Sequence, residues 1–477
     1  MGNSLRQKTI RGVLWSAIDR FSSQGIAFVI SVILARLLTP NDYGIIAMLT
    51  IFISISQAFV DSGFSSAIVQ KRNRTELDLS TALYSNIVIG LVFYLVLFFC
   101  SPLIAKFYNE PILVPVTKVM GLVFFIFSLS NVQQAVLTIR VDFKTQTKIS
   151  LISVFLSGIL GITLAYWGYG VWALAWQQVT AALIRCILLW YFLKWRPLLQ
   201  FSKKSFCELF SFGSKMLATG LLNSIFNNLY TIIIGKNFNA ASLGFYSRAD
   251  QLAQFPSTNV TGILQRVTFP VLAQLQDEYV RFNDAYFKIL KLTMFIVFPI
   301  MLLVSALSEP IIKILLTEKW IESAKLLQLI CFALMFYPIY LLNLNVLEAK
   351  GRSDYLLKSE LINKIINLLV LLISLPFGLI AICYGRIVSS CCSVCISAYY
   401  ANKVTTISVI FVFKQLLPTV FLSIGLFGIA WFLQSSTENV WSQIFSATTI
   451  GGCFYIGAAK LLKMQEIIEL KKILYKK

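Results

Sequence analysis

Long apolar segments separated by short polar ones run through almost the whole of this 477-residue chain. An α-helix needs about 18 to 20 apolar residues to cross the hydrocarbon core of a bilayer, and we count fourteen segments of that length. The chain is 57% hydrophobic and only 13% charged, which excludes an ordinary soluble domain. The sequence therefore predicts an all-α, polytopic membrane protein with about fourteen transmembrane helices.

The predicted spans leave connections too short for a soluble domain. In chain order, the spans are Gly12–Leu37, Tyr43–Ser62, Ser80–Cys100, Val116–Leu137, Ile149–Tyr166, Gly170–Leu193, Phe210–Gly235, Ala241–Leu272, Ile289–Ala306, Leu326–Leu347, Leu357–Pro376, Gly378–Ala401, Leu416–Leu433 and Val440–Lys460. The first span follows a basic segment, as a signal peptide would. It is too long for one and contains Asp19 and Arg20, so we interpret it as a retained helix.

The distribution of Lys and Arg between alternate loops predicts the orientation. With the N-terminus inside, every inner segment carries a group of basic residues, from Arg6 to Lys477. The basic residues of the outer segments are Lys106, Lys118, Lys236, Lys313, Lys319 and Lys325. Since positive residues near span ends stay cytoplasmic, both termini are predicted to be cytoplasmic. The net charge of +20 is thus a topology signal beside an anionic leaflet and does not indicate nucleic acid.

Metal and cofactor chemistry finds little support in the composition. The chain has no histidine, which excludes histidine catalysis and histidine metal sites. Most of its nine cysteines stand alone, and the group Cys391, Cys392 and Cys395 lacks a fourth ligand at metal-site spacing. We expect the cysteines to be small apolar filler, with no metal and no cofactor.

Three stretches of the first half recur in the second half. At a shift of 200 residues, Ile33–Arg36 and Gly44 match Ile233–Lys236 and Gly244. At a shift of 212, Arg140, Asp142 and Phe143 match Arg352, Asp354 and Tyr355. At a shift of 208, Gly170, Ala173 and Trp176 match Gly378, Ala381 and Tyr384. Spans one to six thus echo spans seven to twelve. Because six is even, this predicts a parallel repeat about an axis along the membrane normal, as in carriers that bind substrate between two lobes.

Several motifs carry a resemblance to a known family. They are Ile10-Arg11-Gly12 with Trp15, Leu34 to Gly44, Asp61-Ser62-Gly63 with Ala67 to Gln70, Gly244 to Ala249, and Phe269-Pro270. Together they resemble the bacterial Wzx-type polysaccharide flippases of the multidrug/oligosaccharidyl-lipid/polysaccharide superfamily. The resemblance runs from about Ile10 to the end of the chain.

The resemblance implies a V-shaped, two-lobed transporter of the bacterial cytoplasmic membrane rather than an enzyme. Its substrate would be an undecaprenyl-diphosphate-linked oligosaccharide, the repeat unit of an O-antigen, capsule or exopolysaccharide. Alternating access through a cationic cavity between the lobes would move this substrate from the inner to the outer leaflet. The partners implied are this glycan, membrane lipids, and a polysaccharide polymerase with chain-length proteins, without nucleic acid.

The spans and the repeat give a predicted domain division. The segments are a cytoplasmic N-terminus (1–11), an N-lobe of spans one to six (12–193), a cytoplasmic linker (194–209), a C-lobe of spans seven to twelve (210–401), an extra helix pair (402–464) and a basic cytoplasmic tail (465–477). The extra pair fits those members of the superfamily that add two terminal spans.

Ionisable residues inside the spans are the candidates for function, because a charge in hydrocarbon is costly and usually faces water or a partner. A lipid diphosphate needs cations, and arginine can bind its oxygens bidentately. In order of preference, the predicted cationic lining is Arg20, Lys215, Arg248, Arg185 and Arg386, with Asn223 and Gln254 as polar neighbours. The acids that could couple a proton or sodium ion to transport are Asp19, Asp61 and Asp250.

Helical spacing links some of these candidates. In span eight, Asp250, Gln254, Ser257 and Thr261 fall on one helical face, which we expect to line the space between the lobes. The alternative is structural: Arg20 would neutralise Asp19, and Arg248 would neutralise Asp250, only to lock helices together.

Other functions remain open at this stage. A lipid II flippase would share the cationic cavity, whereas a cation-coupled multidrug antiporter would favour a more acidic one. A membrane-bound polymerase or ligase usually needs a large outer loop, and the longest here, about residues 307–325, has no obvious fold.

Overall fold

A computed structural model describes residues 22–60, 64, 66–71, 73–405, 409–467 and 469. Its α-helices are α1 Ser22–Leu37, α2 Pro40–Val60, α3 Ser66–Gln70, α4 Glu76–Tyr108, α5 Leu113–Ser128, α6 Asn131–Ile139, α7 Phe143–Tyr166, α8 Val171–Phe192, α9 Lys203–Asn227, α10 Leu229–Asn237, α11 Ala240–Gln274, α12 Tyr279–Ala306, α13 Ser308–Leu316, α14 Glu322–Leu334, α15 Tyr337–Ala349, α16 Ser353–Ser374, α17 Leu379–Thr405, α18 Val409–Ser436 and α19 Val440–Leu461. Short 3₁₀ helices occupy Glu318–Trp320 and Leu375–Phe377.

These helices lie where the fourteen spans are predicted, so the all-α membrane fold is confirmed. Within the described residues, ten helical segments are long and apolar enough to cross a membrane. The number rises to twelve if the bent pairs α5–α6 and α9–α10 each form one span. The short apolar helix α1 and the 35-residue helix α11 fill the remaining two positions. α11 is the exception in composition, because charged and amide side chains interrupt its apolar sequence.

Helix bounds confirm two of the three repeat registers. α1 and α10 end, and α2 and α11 begin, at positions that differ by 200. α8 and α17 begin at positions that differ by 208, each after a glycine with positive φ, Gly170 at 55° and Gly378 at 93°. The order of helices in the first half is therefore repeated in the second.

The third register, a shift of 212, is wrong by two residues. α6 and α7 are separated by a three-residue loop around Val141, and α15 and α16 by a matching loop around Gly351, both with positive φ. These loops correspond at a shift of 210. Both stretches contain an arginine followed two residues later by an aspartate, but the two aspartates have different roles. Asp142 caps α7, whereas Asp354 pairs with Arg352.

The chain forms two compact units, Met1–Gly244 and Phe245–Lys477. In the first, α4 packs on α5, α7 on α8, and α2 on α9. One of its core clusters joins α4, α6 and α8 through Leu83, Val136 and Leu189. The lobe boundaries given above remain a prediction.

The second unit is organised around α12 and α17. α14, α15 and α16 pack on α17, and α18 packs on α12. The core includes Phe298, Leu342 and Val394. The hydroxyl of Tyr455 on α19 donates to the carbonyl O of Phe295 at 2.9 Å, which attaches the terminal helix pair to α12.

Within the first unit, the starts of α2 and α11 meet backbone to backbone. A Cβ added to Gly44 would lie 1.7 Å from the carbonyl O of Ala240, and one added to Gly244 would lie 1.9 Å from that of Pro40. Gly44 corresponds to Gly244 in the repeat, and Pro40 corresponds to Ala240, each 200 residues apart. Each contact is therefore the repeat-related copy of the other, as a local two-fold relation requires. The matched glycines of the repeat are therefore needed because no other residue permits so close an approach.

An ion cluster connects the starts of α4 and α9. The Nζ of Lys71 lies 2.9 Å from Asp78 Oδ1 and 3.0 Å from Glu208 Oε2. Burial opposes the charge of Lys71, but hydrogen bonds to Asp78 and Glu208 outweigh it and raise the pKa of Lys71 above its ordinary value of 10.5. Lys71 is thus charged near neutral pH.

We expect Lys71→Met to lower the free energy of unfolding by about 1–2 kcal/mol, because Asp78, only 3% exposed, loses its cation. Because the pKa of Lys71 is raised, this contribution is lost as the pH rises through the raised pKa. Because the pKa of Asp78 is lowered from 3.8 to about 2, the contribution is also lost in acid, and it is complete between pH 3.8 and pH 10.5. Thermal unfolding of purified protein across this range measures it. The control Lys313→Met, which removes an exposed i,i+4 pair with Glu309, should have little effect. Equal stability of Lys71→Met and the natural chain at neutral pH would contradict the expectation.

Candidate functional site

Two predicted residues lie together on α11. Asp250 and Gln254 are one helical turn apart, and the Nε2 of Gln254 donates to Asp250 Oδ2 at 2.6 Å. Four-residue spacing places both side chains on the same helical face. Their position on one face agrees with the spacing, and the role of this face in substrate binding stays a prediction.

Arg386 of α17 completes a partly buried cluster with Asp250. Its Nη1 donates to Asp250 Oδ1 at 2.6 Å and to the hydroxyl of Tyr246 at 2.7 Å. The side chains of Arg386 and Asp250 are 16% and 20% exposed. Both carboxylate oxygens of Asp250 therefore accept a hydrogen bond, one from Arg386 and one from Gln254. We call Tyr246, Asp250, Gln254 and Arg386 the arginine cluster.

Arg248 lies beside the arginine cluster in sequence and is half-buried. Its Nη1 donates to Gln251 Oε1 at 2.7 Å. The arginine that pairs with Asp250 thus comes from a separate helix, although Arg248 is only two residues away.

The other half of the predicted polar face serves helix packing. Ser257 and Thr261 are buried, and Ser257 Oγ donates to the carbonyl O of Leu334 at 3.2 Å. Thr261 Oγ1 donates to the carbonyl O of Ser257 at 2.6 Å. Because each hydroxyl donates to a backbone carbonyl, both can be buried at little cost along the face of Asp250.

Sequence reasoning missed Tyr246. It is buried, and its ring centroid lies 5.9 Å from the guanidinium carbon of Arg386. Tyr246 precedes Asp250 by four residues, so the spacing that linked Asp250 to Gln254 could have identified it. A tyrosine does not stand out at this position because apolar and aromatic residues fill most of the chain.

The remaining candidates lie in the first unit or outside the described residues. Arg185 on α8 is half-buried, and Asn223 on α9 is exposed. Lys215 lies on α9, but its side chain is outside the described part of the structure. Arg20, Asp19 and Asp61 also lie outside the described residues. The structure therefore brings together Asp250, Gln254 and Arg386 from the predicted set.

The second unit also contains an apolar cavity of about 360 Å³ between α12, α15, α17 and α18. Cys391 and Cys395 contribute to its wall, together with Tyr286 and Asn343. None of its lining residues is charged. A diphosphate would find no counter-charge there, so the arginine cluster is the better candidate site.

Comparison with known proteins gives consistent results. The model of the family described as "Polysaccharide biosynthesis protein" matches residues 33–325. The chain is 28% identical to the teichuronic acid biosynthesis protein TuaB of Bacillus subtilis over 74% of its own length and 73% of that protein. It is likewise 28% identical to the lipopolysaccharide biosynthesis protein WzxC of Escherichia coli, covering 74% and 72% of the two chains.

A solved structure shares the fold. The lipid II flippase MurJ, in an inward closed conformation, superposes with a TM-score of 0.77 at 17% identity. The match covers 95% of this chain and all of that one. At this identity the likeness concerns the fold alone.

Proposed function

Because the chain belongs to the family of polysaccharide biosynthesis proteins, we propose that it is a flippase for an undecaprenyl-diphosphate-linked oligosaccharide. The substrate is a repeat unit of a bacterial surface polysaccharide, moved from the inner to the outer leaflet of the cytoplasmic membrane. The names of TuaB and WzxC refer to the biosynthesis of teichuronic acid and of lipopolysaccharide, which supports a surface polysaccharide as the product. The distribution of Lys and Arg supports cytoplasmic termini.

The observation that carries this proposal is the arginine cluster. A guanidinium inside a membrane protein is costly, and it is retained where it serves a substrate or a partner. Arg386 can present two N–H groups side by side to phosphate oxygens, which suits a diphosphate better than a neutral or cationic cargo. Tyr246 and Asp250 fix the position of this guanidinium before substrate arrives.

When substrate binds, the diphosphate replaces the carboxylate of Asp250 as the group that accepts hydrogen bonds from Arg386. Without substrate, Asp250 compensates the charge of Arg386, which avoids the cost of an unpaired buried cation. A diphosphate near α11 replaces the carboxylate as acceptor, and Gln254 continues to hold Asp250. Arg20, Lys215, Arg248 and Arg185 are the further cations of the proposed lining, and Asn223 offers an amide to the glycan.

The same exchange gives Asp250 a role in energy coupling. A carboxylate released from Arg386 can take up a proton or a sodium ion, and Asp19 and Asp61 are the other candidates. Transport driven by a cation gradient should therefore stop when the proton and sodium gradients are both collapsed. Transport that continues at an unchanged rate in vesicles treated with ionophores would remove the coupling role from all three acids.

Two related functions are less well supported. A multidrug antiporter would attract cations, whereas here the fixed cation Arg386 lies against Asp250. A lipid II flippase would use the same cationic chemistry. The likeness to MurJ concerns the fold, whereas the family match concerns polysaccharide biosynthesis.

Deletion of the gene tests the proposed function. We expect loss of one surface polysaccharide and accumulation of its lipid-linked repeat unit, measured by mass spectrometry of extracted lipids. The natural chain supplied on a plasmid should reverse both effects. Unchanged surface polysaccharide and unchanged lipid-linked intermediates in the deletion strain would contradict the proposal.

A further inference from the structure

The segment between α8 and α9, residues 193–202, has a fixed conformation without being helical. The backbone N–H of Leu198 donates to Ser80 Oγ at 2.8 Å, and that of Ser202 donates to Thr81 Oγ1 at 3.2 Å. The hydroxyl of Tyr84 donates to the carbonyl O of Leu198 at 2.9 Å. The segment is therefore fastened along the first turns of α4.

This attachment leaves apolar side chains of the segment uncovered by protein. Leu199 is 95% exposed, and Phe201 is 56% exposed. Leu198 and Tyr191 at the end of α8 are also exposed. Apolar surface of this kind is unfavourable in water, and a patch rimmed by polar groups marks an interaction surface.

Basic residues precede and follow these apolar side chains in the sequence. Lys194, Arg196, Lys203 and Lys204 are exposed, and the sequence from Trp190 to Cys207 contains no acidic residue. Arg196 donates to the carbonyl O of Leu193 at 3.1 Å, at the end of α8. The three lysines flank the apolar side chains on both sides along the chain.

We propose that this segment, with its lysines, is a binding surface for anionic phospholipid headgroups. Apolar side chains beside cations are the combination that binds a membrane interface: the apolar groups enter the acyl boundary and the cations meet phosphate. The segment lies on the side predicted to be cytoplasmic, where the leaflet is anionic. Lipid bound here holds the starts of α4 and α9 at the membrane surface. The surface is separate from the arginine cluster and does not depend on the proposed transport.

Lipid binding to the full-length protein tests this surface. The protein is reconstituted in nanodiscs of phosphatidylcholine with increasing phosphatidylglycerol, and native mass spectrometry counts the retained phosphatidylglycerol. The variant Lys194→Gln/Lys203→Gln/Lys204→Gln should bind it on the order of tenfold more weakly, since each cation near a membrane surface contributes to attraction. Binding by the natural chain should weaken with salt more steeply than binding by this variant.

Two further variants keep the test decisive. Arg140→Gln/Lys144→Gln/Lys148→Gln removes the same charge from the α6–α7 loop and the start of α7 in the first unit, and this variant should retain near-natural binding. Leu199→Gln alters a side chain that contacts little protein, so it should fold normally and bind less phosphatidylglycerol. Natural binding by the lysine variant, or an equal loss in the control variant, would overturn the proposal.

Discussion

Replacing Arg386 with glutamine is expected to reduce transport on the order of 10- to 100-fold, because a charge-assisted hydrogen bond contributes about 1.5–3 kcal/mol. The single change also leaves Asp250 without its cation in a partly buried site, so the amount of folded protein should fall. Arg386→Lys keeps the charge but loses the forked geometry, and it should transport at an intermediate rate. Transport is measured as surface polysaccharide per amount of protein in the membrane.

The double variant Asp250→Asn/Arg386→Gln separates substrate binding from structural support. It removes both charges, so the folded amount should recover while transport stays low. Recovery of transport together with the folded amount would show that the pair only holds α11 and α17 together. The matched control is Asp354→Asn/Arg352→Gln, which removes a bidentate but exposed pair and should leave transport unchanged.

Replacing Gly44 or Gly244 with alanine is expected to destabilise the protein by about 3 kcal/mol, the upper part of the usual range for overpacking. The added Cβ would lie 1.7 Å or 1.9 Å from a backbone carbonyl oxygen, so α2 and α11 must move apart. Because both substitutions strain one contact, the double variant should lose little more stability than the worse single variant. Thermal unfolding of the purified protein measures all three.

Gly428→Ala on α18 is the matched control for the glycine variants. A Cβ at this position meets no atom within 4 Å, so the change should be neutral or slightly stabilising through helix propensity. If Gly44→Ala were as stable as Gly428→Ala, the close contact at the start of α2 would not exist in the folded protein.

Much of the fold could be predicted because a membrane span must be long, apolar and helical. Hydropathy could not predict that span four bends by 41° between α5 and α6, because it depends on amino-acid composition and not on the direction of the helix axis. The repeat registers at shifts of 200 and 208 were correct where glycines and helix ends recur. The register at 212 failed because two arginine–aspartate pairs resemble each other in sequence but stand at different positions of the matching loops.

The candidate site could be predicted only along a single helix. Spacing of four residues linked Asp250 to Gln254, and it could also have linked Asp250 to Tyr246. Arg386 was a candidate on its own, but its pairing with Asp250 joins positions 136 residues apart, and no local pattern reports such a contact. Ser257 and Thr261 continued the polar face in sequence, yet both are buried by helix packing.

The leaflet in which the lipid-linked oligosaccharide lies tests the central claim most directly. Spheroplasts of the deletion strain are exposed to an added glycan-modifying enzyme that cannot cross the membrane. We predict that the oligosaccharide accumulates but is protected, and that it becomes reachable when the natural chain is restored, but not when Arg386→Gln is supplied. Oligosaccharide that is equally reachable with and without the gene would contradict the account.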